Sequence, residues 1–263
     1  MHRSHKIALD PNHKQATYFA KACGVARFAY NWGLAEWKRQ YKAGEKPTQA
    51  SLRRQLNAIK REQFPWMLDV TKNAPQMALI HLGGAFERFF RGEAKYPTFK
   101  KKGIHDRFTL TNDQFAVCDK RIRVPKLGWV RMRETLRFSG KIMSATISRE
   151  ADKWFVSLTV DTEDAPPMCE NQAIVGVDLG VNRLATLSDG TFVTGAKPHR
   201  ALLNRLRRLS RSLSRKQKGS KNRAKAKLKL AKLHAKIANI RNDELHKLTT
   251  RLASQYGVIV MED

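Results

Sequence analysis

Acidic residues are scarce in this chain of 263: 23 Asp and Glu stand against 51 Lys and Arg, a formal net charge of +28. A compact body with that imbalance repels itself unless a polyanion neutralises it. Cysteine is nearly absent as well. Cys23, Cys118 and Cys169 are far apart, odd in number and form no C-x-x-C. That argues against a disulfide framework and a cysteine-based zinc site, and fits reduced thiols in the cytoplasm. No apolar run approaches the roughly 20 residues that cross a bilayer. Met1-His2-Arg3-Ser4-His5-Lys6 leads into no apolar stretch, so no secretory signal is expected. What the chain does have is 41% hydrophobic residues, enough for a core and too many for a disordered basic tail. Its charge is spread widely and interleaved with aromatics, which favours nucleic acid over a membrane as partner.

Residues 12–91 read as helices. Phe19, Ala22, Ala26, Tyr30, Leu34, Trp37 and Tyr41 recur every three or four positions, one helical face, until Gly44 and Pro47 punctuate it. Leu52, Leu56 and Ile59 mark a second amphipathic helix ended by Pro65. A third starts near Asn73-Ala74-Pro75 and carries Met77, Ile80, Ala85 and Phe89. Their polar faces hold Lys38, Arg39, Arg53, Arg54, Lys60, Arg61, Arg88 and Arg91. From about 104 to 160 the pattern alternates with period two, the signature of strands. Arg121-Ile122-Arg123-Val124 and Trp129-Val130-Arg131-Met132-Arg133 set cations on one face, and Ala151-Asp152 reads as a hairpin turn. A small antiparallel barrel is expected.

Residues 161–172, DTEDAPPMCENQ, are acidic, contain two prolines and lack any apolar period, so they read as a linker and a domain boundary. Beyond them, Ala173-Ile174-Val175-Gly176-Val177-Asp178 is an apolar strand ending in a carboxylate. Leu184–Leu187 and Phe192–Val193 follow as strands around the turn Ser188-Asp189-Gly190. Residues 200–241 then hold 16 Lys or Arg and no acid. Leu202, Leu206, Leu209 and Leu213, then Leu230, Leu233, Ile237 and Ile240, predict two helices packed as a hairpin about Lys218-Gly219-Ser220. With no acid to form pairs along the helix, its basic exterior is repulsive and suits a polyanion. Finally Gly257-Val258-Ile259-Val260-Met261-Glu262-Asp263 is a second apolar strand ending in acids. Parallel neighbours would bring Asp178 and Glu262 to one sheet edge, where ligands and metals are expected. Mg²⁺ takes oxygen ligands and keeps several waters, so one or two carboxylates per ion suffice.

Four stretches, in order, resemble the TnpB family, the RNA-guided nucleases of insertion sequences related to type V CRISPR effectors. Gly176-Val177-Asp178-Leu179-Gly180-Val181-Asn182 with Leu184–Gly190 is similar to its first RuvC motif, and Val258–Asp263 to its second. Gly24-Val25-Ala26-Arg27-Phe28-Ala29-Tyr30-Asn31-Trp32 resembles its N-terminal helical segment, and Tyr96-Pro97-Thr98-Phe99-Lys100-Lys101-Lys102 the entry to its β domain. The resemblance implies a multidomain mixed α and β protein. Residues 11–94 would be a helical recognition lobe, and 1–10 with 95–165 a wedge-like β barrel. Residues 166–172 would be a linker. Residues 173–263 would be a partial RNase H-like (RuvC) α/β domain with a basic helical hairpin inserted at 200–255. It implies Asp178 and Glu262 as catalytic Mg²⁺ ligands, a guide RNA from the transposon end, and target double-stranded DNA bearing a short adjacent motif. Phosphate contacts are expected from Arg53, Arg54, Lys100, Lys101, Lys102, Arg121, Arg123, Arg131 and Arg133, and from Arg207, Arg208, Arg211, Arg215, Lys216, Lys218, Lys221 and Arg223 on the hairpin. The setting implied is prokaryotic cytoplasm, at the nucleoid. Family members continue further, with later RuvC elements, a four-cysteine zinc ribbon and a third catalytic aspartate. The chain therefore reads as C-terminally truncated, without zinc and impaired in cleavage. Rival readings are an RNA-guided repressor that does not cut and a sequence-independent basic RNA-binding protein. Asp189, in its turn, is expected to be structural, and Asp263 a frayed end.

Overall fold

The computed structural model describes residues 1–162 and 171–261. The chain divides into two compact units, Met1–Asp164 and Ala165–Asp263.

In the first unit strand β1 (His2–Leu9) leads into helix α1 (His13–Lys42), then α2 (Gln49–Gln63), a 3-10 turn (Pro65–Asp69) and α3 (Asn73–Phe90). Asn12 starts α1 through a reciprocal cap. Gln15 N donates to Asn12 Oδ1 at 2.9 Å and Asn12 N to Gln15 Oε1 at 3.0 Å, satisfying amides that the first turn leaves open. The apolar stripe predicted for α1 is buried from Phe19 to Trp37. Tyr41 is 65% exposed, and Gln40 is the buried residue of that last turn. On α3 the expected face is wrong. Met77, Ile80, Ala85 and Phe89 are only half-buried, while Ala74, Ala78, Leu79, Leu82 and Phe86 enter the core. The reason is close approach: Gly33 of α1 lies against α3 so tightly that a Cβ there would sit 2.5 Å from Leu79 Cδ2. That approach turns the Leu79–Leu82 face inward.

Strands β2 (Arg107–Thr111), β3 (Ala116–Cys118), β4 (Arg121–Val124), β5 (Gly128–Arg131), β6 (Lys141–Glu150) and β7 (Lys153–Asp161) complete this unit. They form an antiparallel sheet of order β1-β7-β6-β2 and a meander β3-β4-β5. Among the described residues one isolated bridge, Leu9 to Met132, links the two. Ala151 turns the β6–β7 hairpin with φ 54°. The predicted barrel does not close. Closure needs a ladder between β2 and β3, but the chain leaves β2 through a 3-10 turn at Asn112–Gln114, and β3 pairs only with β4. Helices and sheets share one core: Phe19 of α1 packs on Trp154 of β7 and Phe108 of β2, with ring centroids 5.2 and 6.1 Å away.

In the second unit β8 (Ile174–Asp178), β9 (Ala185–Leu187) and β10 (Phe192–Val193) precede α4 (Pro198–Ser214), α5 (Lys221–Gln255) and β11 (Val258–Met261). The sheet order is β10-β9-β8-β11, with β11 parallel to β8 and the other pairs antiparallel. The inward residues Val175, Val177, Ala185 and Leu187 pack on Leu248 and Leu252 from the C-terminal part of α5. Alternation along β8 buries Val175 and Val177 and leaves Asp178 exposed at the strand's end. No helix among the described residues is long and apolar enough to cross a membrane.

Candidate nucleic-acid interface and carboxylate site

Asp178 is held by the β8 ladder, with its backbone level with Thr186 of β9. Its carboxylate is exposed and makes no hydrogen bond or ion pair among the described residues. Beside it lies a shallow depression of about 420 Å³ lined by Gly176, Val177, Thr186, Leu187, Ser188, Val260 and Met261. β11 runs parallel to β8 with Met261 level with Val177, the residue before Asp178. Glu262 and Asp263 lie outside the described residues, as do 163–170, including Cys169 and most of the predicted linker. Among the described residues no group of three or more His, Cys, Asp or Glu could hold a metal ion. A free carboxylate at a strand end fits Mg²⁺, which needs few protein oxygens and completes its shell with water.

A clamp fixes the turn into β11. Asn171 Nδ2 donates to Gln255 O at 2.7 Å, and Gly257 N donates to Ala173 O at 3.1 Å. On the other side Tyr256 Oη donates to Asp189 Oδ2 at 2.9 Å. Asp189 Oδ1 accepts from Thr191 N at 2.8 Å and Thr191 Oγ1 at 2.7 Å. These bonds hold the Asp189 carboxyl below its usual pKa, the Thr191 hydroxyl first, and the bond to Asp189 raises the Tyr256 phenol. Asp189 is thus a tie between the β9–β10 turn and the entry to β11.

The basic hairpin forms as α4 and α5. Leu202, Leu206, Leu209 and Leu213 are half-buried along its seam, while Leu233 and Ile237 are buried. Arg207, Arg208, Arg211, Arg215, Lys216, Lys218 and Lys221 are exposed. Arg208, Arg211, Ser212, Arg215 and Lys216 line a concavity of about 470 Å³ along the end of α4. Arg223 has another task. Its guanidinium donates to Leu213 O and Lys216 O, both at 2.9 Å, and so caps α4 from α5.

In the first unit Arg121, Arg123 and Arg131 share one exposed face of the meander. Arg121 is level with Arg131, and the intervening Ile122 and Val130 are buried. Like charges placed opposite each other in a sheet are destabilising unless an anion lies over them. Arg133 is exposed and 3.7 Å from Asp10 Oδ1. Arg54, Lys101 and Lys102 are exposed, and Arg53 half-buried. Lys100 differs from its neighbours. Asn31 grips its backbone, accepting from Lys100 N at 2.7 Å and donating to Lys100 O at 3.0 Å, and its Nζ lies 4.6 Å from the Tyr30 ring centroid. Arg107, not anticipated from sequence, stands nearby at the start of β2 and helps lower the pKa of Lys100, after burial as the main cause.

Two family models match this chain. "Probable transposase", the OrfB model of IS605, matches residues 157–263, and its companion "Helix-turn-helix domain" matches 1–46. The chain belongs to the TnpB family. Within 1–46 this TnpB chain holds β1 and the single helix α1 rather than two helices about a turn. It is 35% identical over 261 residues to an Escherichia coli (strain K12) protein provisionally named RNA-guided DNA endonuclease InsQ. It is 33% identical over 275 residues to a Streptomyces pristinaespiralis protein of the same provisional description. These alignments cover 98% and 99% of the chain but 65% and 66% of the relatives, so the chain spans a little under two-thirds of their length. A solved structure, the Cas12f1–sgRNA–target DNA complex, contains a chain similar in fold, with TM-score 0.52 at 13% identity. That likeness covers 96% of this chain and 65% of the other.

Proposed function

We propose that this TnpB chain works in RNA-guided DNA cleavage, as its relatives' names describe for them, and that the cleavage depends on Mg²⁺. The observation that carries the reading is the parallel pairing of β8 and β11, which sets Met261 level with Val177, the residue before the exposed Asp178. Asp178 and Glu262 would hold Mg²⁺. When bound, the metal supplies an activated water and stabilises the leaving oxygen of a phosphodiester. Asp178 would hold the ion from the end of β8, and the Asp189–Tyr256 tie keeps the entry to β11 alongside.

The cations are proposed to hold the nucleic acids. The arginines of α4 and the meander face are exposed and would contact phosphates, which position a nucleic acid without reading its sequence. Sequence is then supplied by pairing between a guide RNA, proposed to come from the transposon end, and the target strand. A short motif beside the target and a cytoplasmic, nucleoid setting belong to the same proposal.

The experiment is Asp178→Ala in the chain loaded with guide RNA. Metal-dependent cleavage of target DNA should vanish while RNA affinity stays within about twofold, since an exposed carboxylate carries no packing. Loss of RNA binding together with cleavage would make Asp178 a folding residue and refute the metal role. No cleavage by the wild-type chain with guide, target and Mg²⁺ would refute the enzymatic half.

A further inference from the structure

The structure gives the polar residues of the α1 motif Gly24–Trp32 partners in the segment that follows α3. Arg27 Nη1 donates to Asp106 Oδ1 at 2.6 Å, both side chains 15% exposed. Asn31 grips the Lys100 backbone by two hydrogen bonds, and Tyr30 lies under its ammonium. Together they fix the 100–107 stretch along one side of a groove of about 660 Å³, within the size range of small-ligand sites.

Besides Arg27, which Asp106 pairs, three cations line the groove: Lys100, Arg107 and Arg88. Among the described residues none of them has a carboxylate partner; Arg88 Nε only meets Gly84 O at 3.3 Å. Asp106, next to Arg107 in sequence, is taken by Arg27, and among the described residues Glu87 is the acid on the groove's wall. The floor is apolar: Met77, Ile80 and Ala85, the α3 residues that the core leaves half-buried. The imidazole of His81, on the same wall, is held below its usual pKa by desolvation, then by Arg107 and Lys100.

We propose that this groove seats an unpaired segment of nucleic acid, with its phosphates on Lys100, Arg107 and Arg88 and a base face against Met77, Ile80 and Ala85. The inference rests on the nucleic-acid reading above and adds a site to it. A concavity with an apolar floor suits a single strand, whose bases are open to apolar contact. A duplex stacks its base faces on one another and offers its backbone and the base edges in its grooves instead.

The test uses the full chain and three labelled probes of one sequence: unpaired RNA, unpaired DNA and the DNA duplex. In the double variant Lys100→Ala/Arg107→Gln, affinity for unpaired strand should fall by roughly tenfold, and the salt slope by about 0.7 for each phosphate no longer neutralised. Duplex affinity should move less. Equal losses on RNA and DNA identify the backbone as what is read; loss on RNA alone identifies RNA as the occupant. Lys100→Arg/Arg107→Lys should retain binding. A readout on the wild-type protein avoids any folding defect: saturating unpaired strand should protect Lys100, and not Lys14 at the start of α1, from acylation mapped by mass spectrometry. Unchanged affinity in the double variant, with Arg208→Ala/Arg211→Ala still weakening binding, would overturn the groove and leave the nucleic-acid reading standing. A larger loss on duplex, or an unprotected Lys100, would also overturn it. No binding of any probe by the wild type would overturn both.

Discussion

Phe19→Ala probes how the first unit is built. Phe19 is fully buried where α1 meets the sheet, against Trp154 at 5.2 Å and Phe108 at 6.1 Å between centroids. Truncating a fully buried Phe removes its transfer energy and leaves a cavity, about 3–5 kcal/mol in sum. The aromatic contacts add to the upper end of that range. For a unit of this size each kcal/mol lowers Tm by about 2–4 °C, so a fall of roughly 6–20 °C is expected. The assay is built into the sequence. All five tryptophans, Trp32, Trp37, Trp66, Trp129 and Trp154, lie in the first unit, so intrinsic fluorescence follows its unfolding alone. Because α1, α3 and both sheets share one core, the wild type and the variant should each show one cooperative fluorescence transition. Two transitions, or a loss below about 1 kcal/mol, would refute the shared core, since surface-like sites cost only that little.

Three further outcomes follow from the same geometry. Burial pushes the Cys23 thiol up to about 12, with Asp106 adding to it, so at pH 8 an alkylating reagent should label the exposed Cys118 and spare Cys23 in peptide maps. Gly257→Ala would put a Cβ 2.4 Å from Asn171 O; amide exchange at 258–261 should quicken as β11 is pushed from β8, and unchanged exchange would contradict the clamp. The Asp189 carboxyl lies below its ordinary 3.8, so its ties are fully present above that pH and are lost as pH falls through the lower, folded value. The wild type should therefore lose more thermal stability than Asp189→Asn between pH 5 and 3, and equal acid limbs would count against the tie.

How much of this was legible in the residues differs from element to element. The α1 stripe could be read because its apolar positions stand on one face and polar ones interrupt them. On α3 they could not. Met77, Ile80 and Phe89 compete with Leu79, Leu82 and Phe86, and the choice is made by the close approach of Gly33. Alternation announced the strands of the first unit but not its open edge, because closure depends on the 3-10 turn after β2. Asp178 was legible from its strand-end position, whereas its nearness to β11 depends on a parallel pairing across the whole basic hairpin. Arg107 looked like any solvated cation on a strand. Its setting comes from Asn31–Lys100 and Arg27–Asp106, pairs too distant in sequence for any periodicity to show. Arg223 shows the converse: its charge suggested phosphate, while the folded hairpin employs it as a cap.

The most direct measurement is the RNA that this chain carries. Expressed with its native flanking DNA and purified at high salt, the protein should retain one dominant RNA species from the end of its own element. A smear of unrelated cellular RNA, or none, would contradict guide binding and reduce the basic faces to a sequence-independent surface.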